Sequence, residues 1–102
     1  MAWLRINPLI VTDLQSIKDY ISVDNPDRAA EVIDGIYKRF EDILTFPYIG
    51  ANLSGRVSFR TDLKYLVDGN YVILYKIVDD FVEVYRVIHI AQDLTRIFQN
   101  ME

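Results

Sequence analysis

Two kinds of hydrophobic spacing divide the chain. Ile10, Leu14, Ile17 and Ile21 recur at intervals of four, three and four, the spacing of one apolar stripe on an α-helix. Asn7-Pro8 opens this segment. The Asn side chain can accept a first-turn N–H, and Pro suits the first helical position, where no N–H is needed. Asp13, Lys18 and Asp19 fall off the stripe and are expected on the solvent side. Asn25-Pro26-Asp27 repeats the device, with an acid in the first turn where the helix dipole favours it. Ala29, Ile33, Ile36, Phe40 and Ile43 again alternate four and three, Leu44 and Phe46 widen the stripe, and Phe46-Pro47 closes it, because a residue before proline avoids the helical region. Two amphipathic helices joined by a few residues pack as an antiparallel hairpin.

The rest of the chain reads with β periodicity. Residues 2–6 (AWLRI) predict a short first strand. Residues 48–62 carry no period and contain Gly50, Asn52, Ser54 and Gly55, which marks a loop. Strands are expected from Leu63 to Val67, over residues 71–78 (YVILYKIV) and over residues 81–90 (FVEVYRVIHI), with Asp68-Gly69 as a tight turn between the first two and Asp79-Asp80 between the last two. Asp93 can cap a final helix carrying Leu94, Ile97, Phe98 and Met101. The order β-α-α-β-β-β-α predicts an α+β two-layer domain spanning residues 1–102, a helical hairpin packed on one face of a mainly antiparallel sheet.

Composition narrows the class. The chain has 102 residues, 51% hydrophobic and 25% charged, with no cysteine, which excludes a disulfide scaffold or a Cys-ligated zinc and fits a reducing, cytoplasmic setting. No apolar run is long enough to span a membrane. The net charge of −4 disfavours non-specific nucleic-acid binding. Cations concentrate locally, however: residues 54–66 carry Arg56, Arg60 and Lys64 against Asp62 alone.

Several segments, in this order, resemble the RelE/ParE superfamily of toxins from bacterial type II toxin–antitoxin modules. DLQSIKDYI is similar to the first helix of ParE-like proteins and NPDRAAEVIDGIYKRFEDI to their second. TFPYIG matches the Phe-Pro-x-x-Gly exit, DLKYLVDGNYVILYKI the paired strands, and VYRVIHIAQD the segment usually written R-V-x-H-G-R-R-D. The resemblance covers almost the whole chain and is closer to ParE than to RelE. Where the family continues Gly-Arg-Arg, this chain has Ile90-Ala91-Gln92. The resemblance implies a plasmid-stabilisation toxin that needs no cofactor. It implies neutralisation by a cognate acidic antitoxin, through groove filling and strand addition, and inhibition of DNA gyrase by binding rather than by catalysis. The alternatives are a ribosome-dependent mRNA endonuclease of RelE type and a binding module without toxicity.

The candidate residues follow from this choice. His89, the sole histidine, has the titration range of a general acid or base, and with Arg86 it is the catalytic candidate of the endonuclease reading, which also gives the basic stretch of Arg56, Arg60 and Lys64 a catalytic role. On the alternative, structural reading, His89 ends a strand and ties it to the last helix. It would share a face with Phe81, Glu83, Tyr85 and Val87 unless a bulge intervenes. Arg86, set among aliphatic neighbours, needs an ion-pair partner or a route to water. As the position matching the family's arginine, it is also a candidate partner contact. Arg56, Arg60 and Lys64 could receive an anionic partner. Tyr71 and Tyr75 alternate with Ile73 and Ile77, either in the core or in an aromatic groove on the open sheet face, where a partner or a second copy of the chain would cover them. Asp79-Asp80 and Glu41-Asp42 lack the convergence of a metal site, so no metal is expected.

Overall fold

The computed structural model describes residues 3–57 and 60–91. The helix expected after Asp93 lies outside them. Strand β1 (Trp3–Ile6) leads into helix α1 (Leu9–Ser22), a short turn, and helix α2 (Pro26–Thr45). Asn25 caps α2, its carboxamide accepting the Arg28 N–H at 3.0 Å; at α1 the cap position falls on Pro8, and the Asn7 carboxamide just before it accepts the Leu9 N–H at 2.9 Å. Phe46, expected to extend the α2 stripe, is 64% exposed, because the helix has already ended at Thr45.

The segment read as structureless holds a further strand, β2 (Ala51–Asn52), followed by one 3₁₀ turn (Leu53–Gly55). At two residues it is too short to show a period. Strands β3 (Lys64–Asp68), β4 (Tyr71–Val78) and β5 (Phe81–His89) form the expected meander. Its hairpin loops have two residues each, and the left-handed conformations they need fall on Gly69 (φ 59°) and Asp79 (φ 50°). The sheet order is β1-β5-β4-β3-β2, so β1 joins the last strand, and does so in parallel. Among the described residues, no helix is long and apolar enough to cross a membrane.

The helical hairpin covers one face. Ile10, Leu14 and Ile17 from α1 and Ile36, Phe40 and Ile43 from α2 pack with Ile73, Tyr75, Val82, Val84 and Val87. Val72, Leu74 and Ile88 face the other way, into a second cluster with Leu53 and Leu63. Strand β5 does not keep simple alternation. Leu74 pairs with Arg86 and Tyr75 with Val84, so Tyr85 is an extra residue on β5, a β-bulge. Val84 and Val87 therefore reach the same core although their numbers differ by three, while Tyr85 packs with the second cluster. The single-face set of Phe81, Glu83, Tyr85, Val87 and His89 is broken at this bulge.

Tyr71 and Tyr75 lie on the helical side of β4, not on the open face. Tyr75 has no exposed surface: its hydroxyl donates to the Pro47 carbonyl and accepts the Gly50 N–H, both at 2.8 Å. In this position it cannot line a groove for a partner. Burial pushes its phenol above the usual 10.0, opposed by the hydrogen bond from Gly50. The folded chain thus keeps a proton that the unfolded chain releases, so stability present below about pH 10 falls as pH rises above it. Urea unfolding between about pH 9 and about pH 11 should show a steeper loss for the native chain than for Tyr75→Phe. Equal slopes would remove this assignment. Tyr71, also raised by burial, leaves a residual slope in both.

Candidate functional site

The position of Arg86 follows from where β1 stops. β1 runs beside β5 only as far as Val84, whose carbonyl takes the Asn7 N–H at 2.9 Å. There the chain turns into α1, and among the described residues the outer edge of β5 continues without a strand beside it. Asp13, one turn into α1, fills the gap. Its carboxylate accepts the Val87 N–H at 3.0 Å and holds Arg86 through two bonds, from Nε at 2.8 Å and from an Nη at 2.9 Å. The pair is mostly buried, with side-chain exposures of 23% for Arg86 and 10% for Asp13. Hydrogen bonding to Asp13 raises the guanidinium pKa further, against the opposing effect of desolvation. Asp13 was expected to face solvent. The missed signal is its spacing of three from Ile10 and four from Ile17, which puts it on the border of the apolar stripe.

Beside this pair a groove runs between the helices and the sheet. One end, about 580 Å³, is lined by Asp13, Ile17, Tyr20, Tyr71, Arg86 and His89. The other, about 430 Å³, shares Tyr20, Tyr71 and His89 and reaches Arg28, Glu31 and Asp68. His89 is exposed. Its Nδ1 accepts the Ala91 N–H at 3.0 Å, and its ring meets Tyr71 edge-on at 5.5 Å. The expected tie to the last helix through Asp93 lies outside the described residues. Tyr71 is half-buried against the core, and its pKa is raised by burial and by Tyr20, while Arg28 lowers it.

The basic stretch lies elsewhere. Arg56 donates through Nε to the Tyr65 hydroxyl at 3.0 Å, and Tyr65 packs with the cluster on the far side of the sheet from the helices. Lys64 donates to the Asn52 side chain at 2.8 Å and sits 5.3 Å over the Tyr48 ring. Arg60 is exposed in the segment before β3. Arg86 and His89 therefore share a groove, while Arg56 stands on the opposite face.

The family model described as the ParE toxin of the type II toxin–antitoxin system parDE matches residues 4–94. The chain belongs to the ParE toxin family. Comparison with curated proteins gives no match. Among solved structures, this ParE-family chain is similar to one from the chromosomal ParDE toxin–antitoxin system of P. aeruginosa, with a TM-score of 0.71 at 16% identity over 87% of this chain and 96% of that one. It is also similar to one from the RelBE2 toxin–antitoxin complex of Mycobacterium tuberculosis, with a TM-score of 0.57 at 23% identity over 89% and 93% of the two chains. At such identities these likenesses support the shared fold, a helical hairpin on a mainly antiparallel sheet. The family itself rests on the sequence match. The resemblance seen in the segments from DLQSIKDYI to VYRVIHIAQD thus holds for the ParE family as a whole.

Proposed function

We propose that the chain is the toxin of a type II toxin–antitoxin pair, that a cognate acidic antitoxin neutralises it by binding, and that it inhibits DNA gyrase by binding rather than by cleaving RNA. The family match over residues 4–94 carries this reading. Geometry favours binding over catalysis. Cleavage by 2′-OH attack needs a base, an acid and a cation converging on one phosphate. Arg86 is engaged by Asp13, and His89 and Arg56 lie on opposite faces of the sheet. Of the candidates of the endonuclease reading, Arg86 and His89 share the groove, but Arg56 of the basic stretch packs on the far side of the sheet and does not join them.

Induced expression of the chain alone should arrest growth, and the purified chain should inhibit gyrase supercoiling or trap its cleaved DNA complex. Primer extension on cellular mRNA should show no new cuts. New cuts that disappear in His89→Ala would replace the gyrase reading with RelE-type cleavage, and normal growth on induction would leave a binding module without toxicity.

A further inference from the structure

The β4–β5 ladder ends at the rim of the groove. Tyr71 and His89 are its last Cα partners, and just beyond them the Ile90 N–H reaches the Asn70 carbonyl at 2.8 Å. Ala91 is the next residue, and its N–H turns to a side chain. It donates to Nδ1 of His89 at 3.0 Å. A ring nitrogen accepts a hydrogen bond only while it carries no proton. The contact therefore requires the neutral imidazole with its proton on Nε2, and the imidazolium cannot make it. The same ring lines both stretches of the groove and meets Tyr71 edge-on at 5.5 Å.

We propose that His89 is a proton-operated latch at the exit from β5: the neutral ring fixes the chain at Ala91, and a proton taken from solvent at Nδ1 releases it. The bond lost is the one from the Ala91 N–H, because protonation turns its acceptor into a second donor. The groups facing the ring are mixed in sign. Helix α1 presents Asp13 and Tyr20, and β5 itself presents Arg86. Helix α2 presents Arg28 and Glu31, the end of β3 presents Asp68, and β4 presents Tyr71. These ions are already matched: Asp13 holds Arg86, Arg28 lies 3.5 Å from Glu31, and Asp68 lies 3.8 Å from Arg39. Carboxylates, guanidinium groups and phenols keep their charge state through the neutral range, whereas imidazole changes its own between about pH 5 and about pH 8. Protonation of His89 thus loosens one rim of the groove and adds positive charge inside it. The latch is a property of the chain itself and does not depend on what the chain binds.

The test is an NMR titration of the purified full chain between about pH 5.5 and about pH 8. At the upper end the ring nitrogens should show the Nε2–H tautomer. On acidification the Ala91 amide should lose about 5-fold in exchange protection, corrected for the intrinsic pH dependence of exchange. Its midpoint should be that of the His89 ring, while the amides of Ile73 and Leu74 in β4 stay protected. His89→Asn keeps a side-chain acceptor two residues before Ala91 but cannot titrate, so it should stay protected across the range. His89→Leu should lack the protection throughout. Asp93 lies four residues on in the sequence, and Asp93→Asn should leave the coupling between ring and amide in place. An Nδ1–H tautomer at the upper end, or Ala91 protection that ignores the ring's titration, overturns the proposal. So does loss of the coupling in Asp93→Asn, which would make a carboxylate the holder of the exit, or parallel loss at Ile73 and Leu74, which would mean unfolding. The native titration decides the matter even if a variant fails to fold. No readout involves growth arrest or gyrase, so failure here is separable from failure of the toxin reading.

Discussion

Gly50→Ala should lower the unfolding free energy by about 3 kcal/mol, far more than one methyl group usually costs. The position has no room. A Cβ there would lie 2.5 Å from the Tyr75 hydroxyl oxygen, 2.7 Å from the Tyr65 carbonyl oxygen and 2.8 Å from Cε1 of Tyr75. None of these atoms is the free end of a flexible side chain. The Tyr75 hydroxyl is held by Pro47 and Gly50, its ring is enclosed in the core, and the Tyr65 backbone is paired with Ala51 across the β2–β3 ladder. Gly50 ends the exit from α2, so the strain would fall on the join between the helical layer and the sheet. Urea denaturation should show a lower midpoint with an unchanged slope. Adding Tyr75→Phe should cost less in the Gly50→Ala background than in the native chain, since it removes the atom closest to the new methyl. A loss under about 0.5 kcal/mol for Gly50→Ala would mean the segment can shift.

Much of this architecture was legible in the sequence, for reasons that also explain what was not. The α1 and α2 stripes were clear because four-and-three spacing is sustained over several turns and each helix opens on Asn-Pro. Strand β4 was clear because eight residues rich in β-formers and almost wholly apolar stand between two tight turns. β2 was hidden because two residues carry no periodicity, and its pairing with β3 is a tertiary fact. The bulge at Tyr85 was hidden for a similar reason. An inserted residue shifts every later side chain to the other face, but a strand that mixes apolar and polar residues on both faces, such as FVEVYRVIHI, gives no clear local sign of the slip. That slip decides the site. Simple alternation put Tyr85, Val87 and His89 on one face, whereas the bulge leaves Val87 toward the helices and sends Tyr85 to the second cluster. Tyr71 and Tyr75 were correctly seen to share a face, but which face the helices cover depends on packing that no spacing rule reports.

Asp13→Ala should be the other costly substitution, at about 3 kcal/mol. It removes the charge-assisted partner of a mostly buried arginine and at the same time strips the Val87 N–H, on the stretch of β5 beyond its pairing with β1, of its acceptor. Arg86→Ala should cost less, because Asp13 keeps its bond to Val87 and borders an open groove where water can reach it. Asp13→Asn should fall between native and Asp13→Ala, keeping one acceptor oxygen but losing the charge. In the double variant the cost should be smaller than the sum by at least about 1 kcal/mol, the signature of direct coupling. The same cycle separates two roles for Arg86. If it serves only to latch α1 onto β5, growth arrest should follow stability, and at a temperature where all variants are folded Arg86→Ala should be as toxic as Asp13→Ala. If Arg86 also contacts the target, Arg86→Ala should lose toxicity under conditions where the less stable Asp13→Ala retains it, because Asp13→Ala frees the guanidinium while Arg86→Ala deletes it. Additive energies across the cycle would break the latch, since two groups joined by a pair of hydrogen bonds cannot be energetically independent.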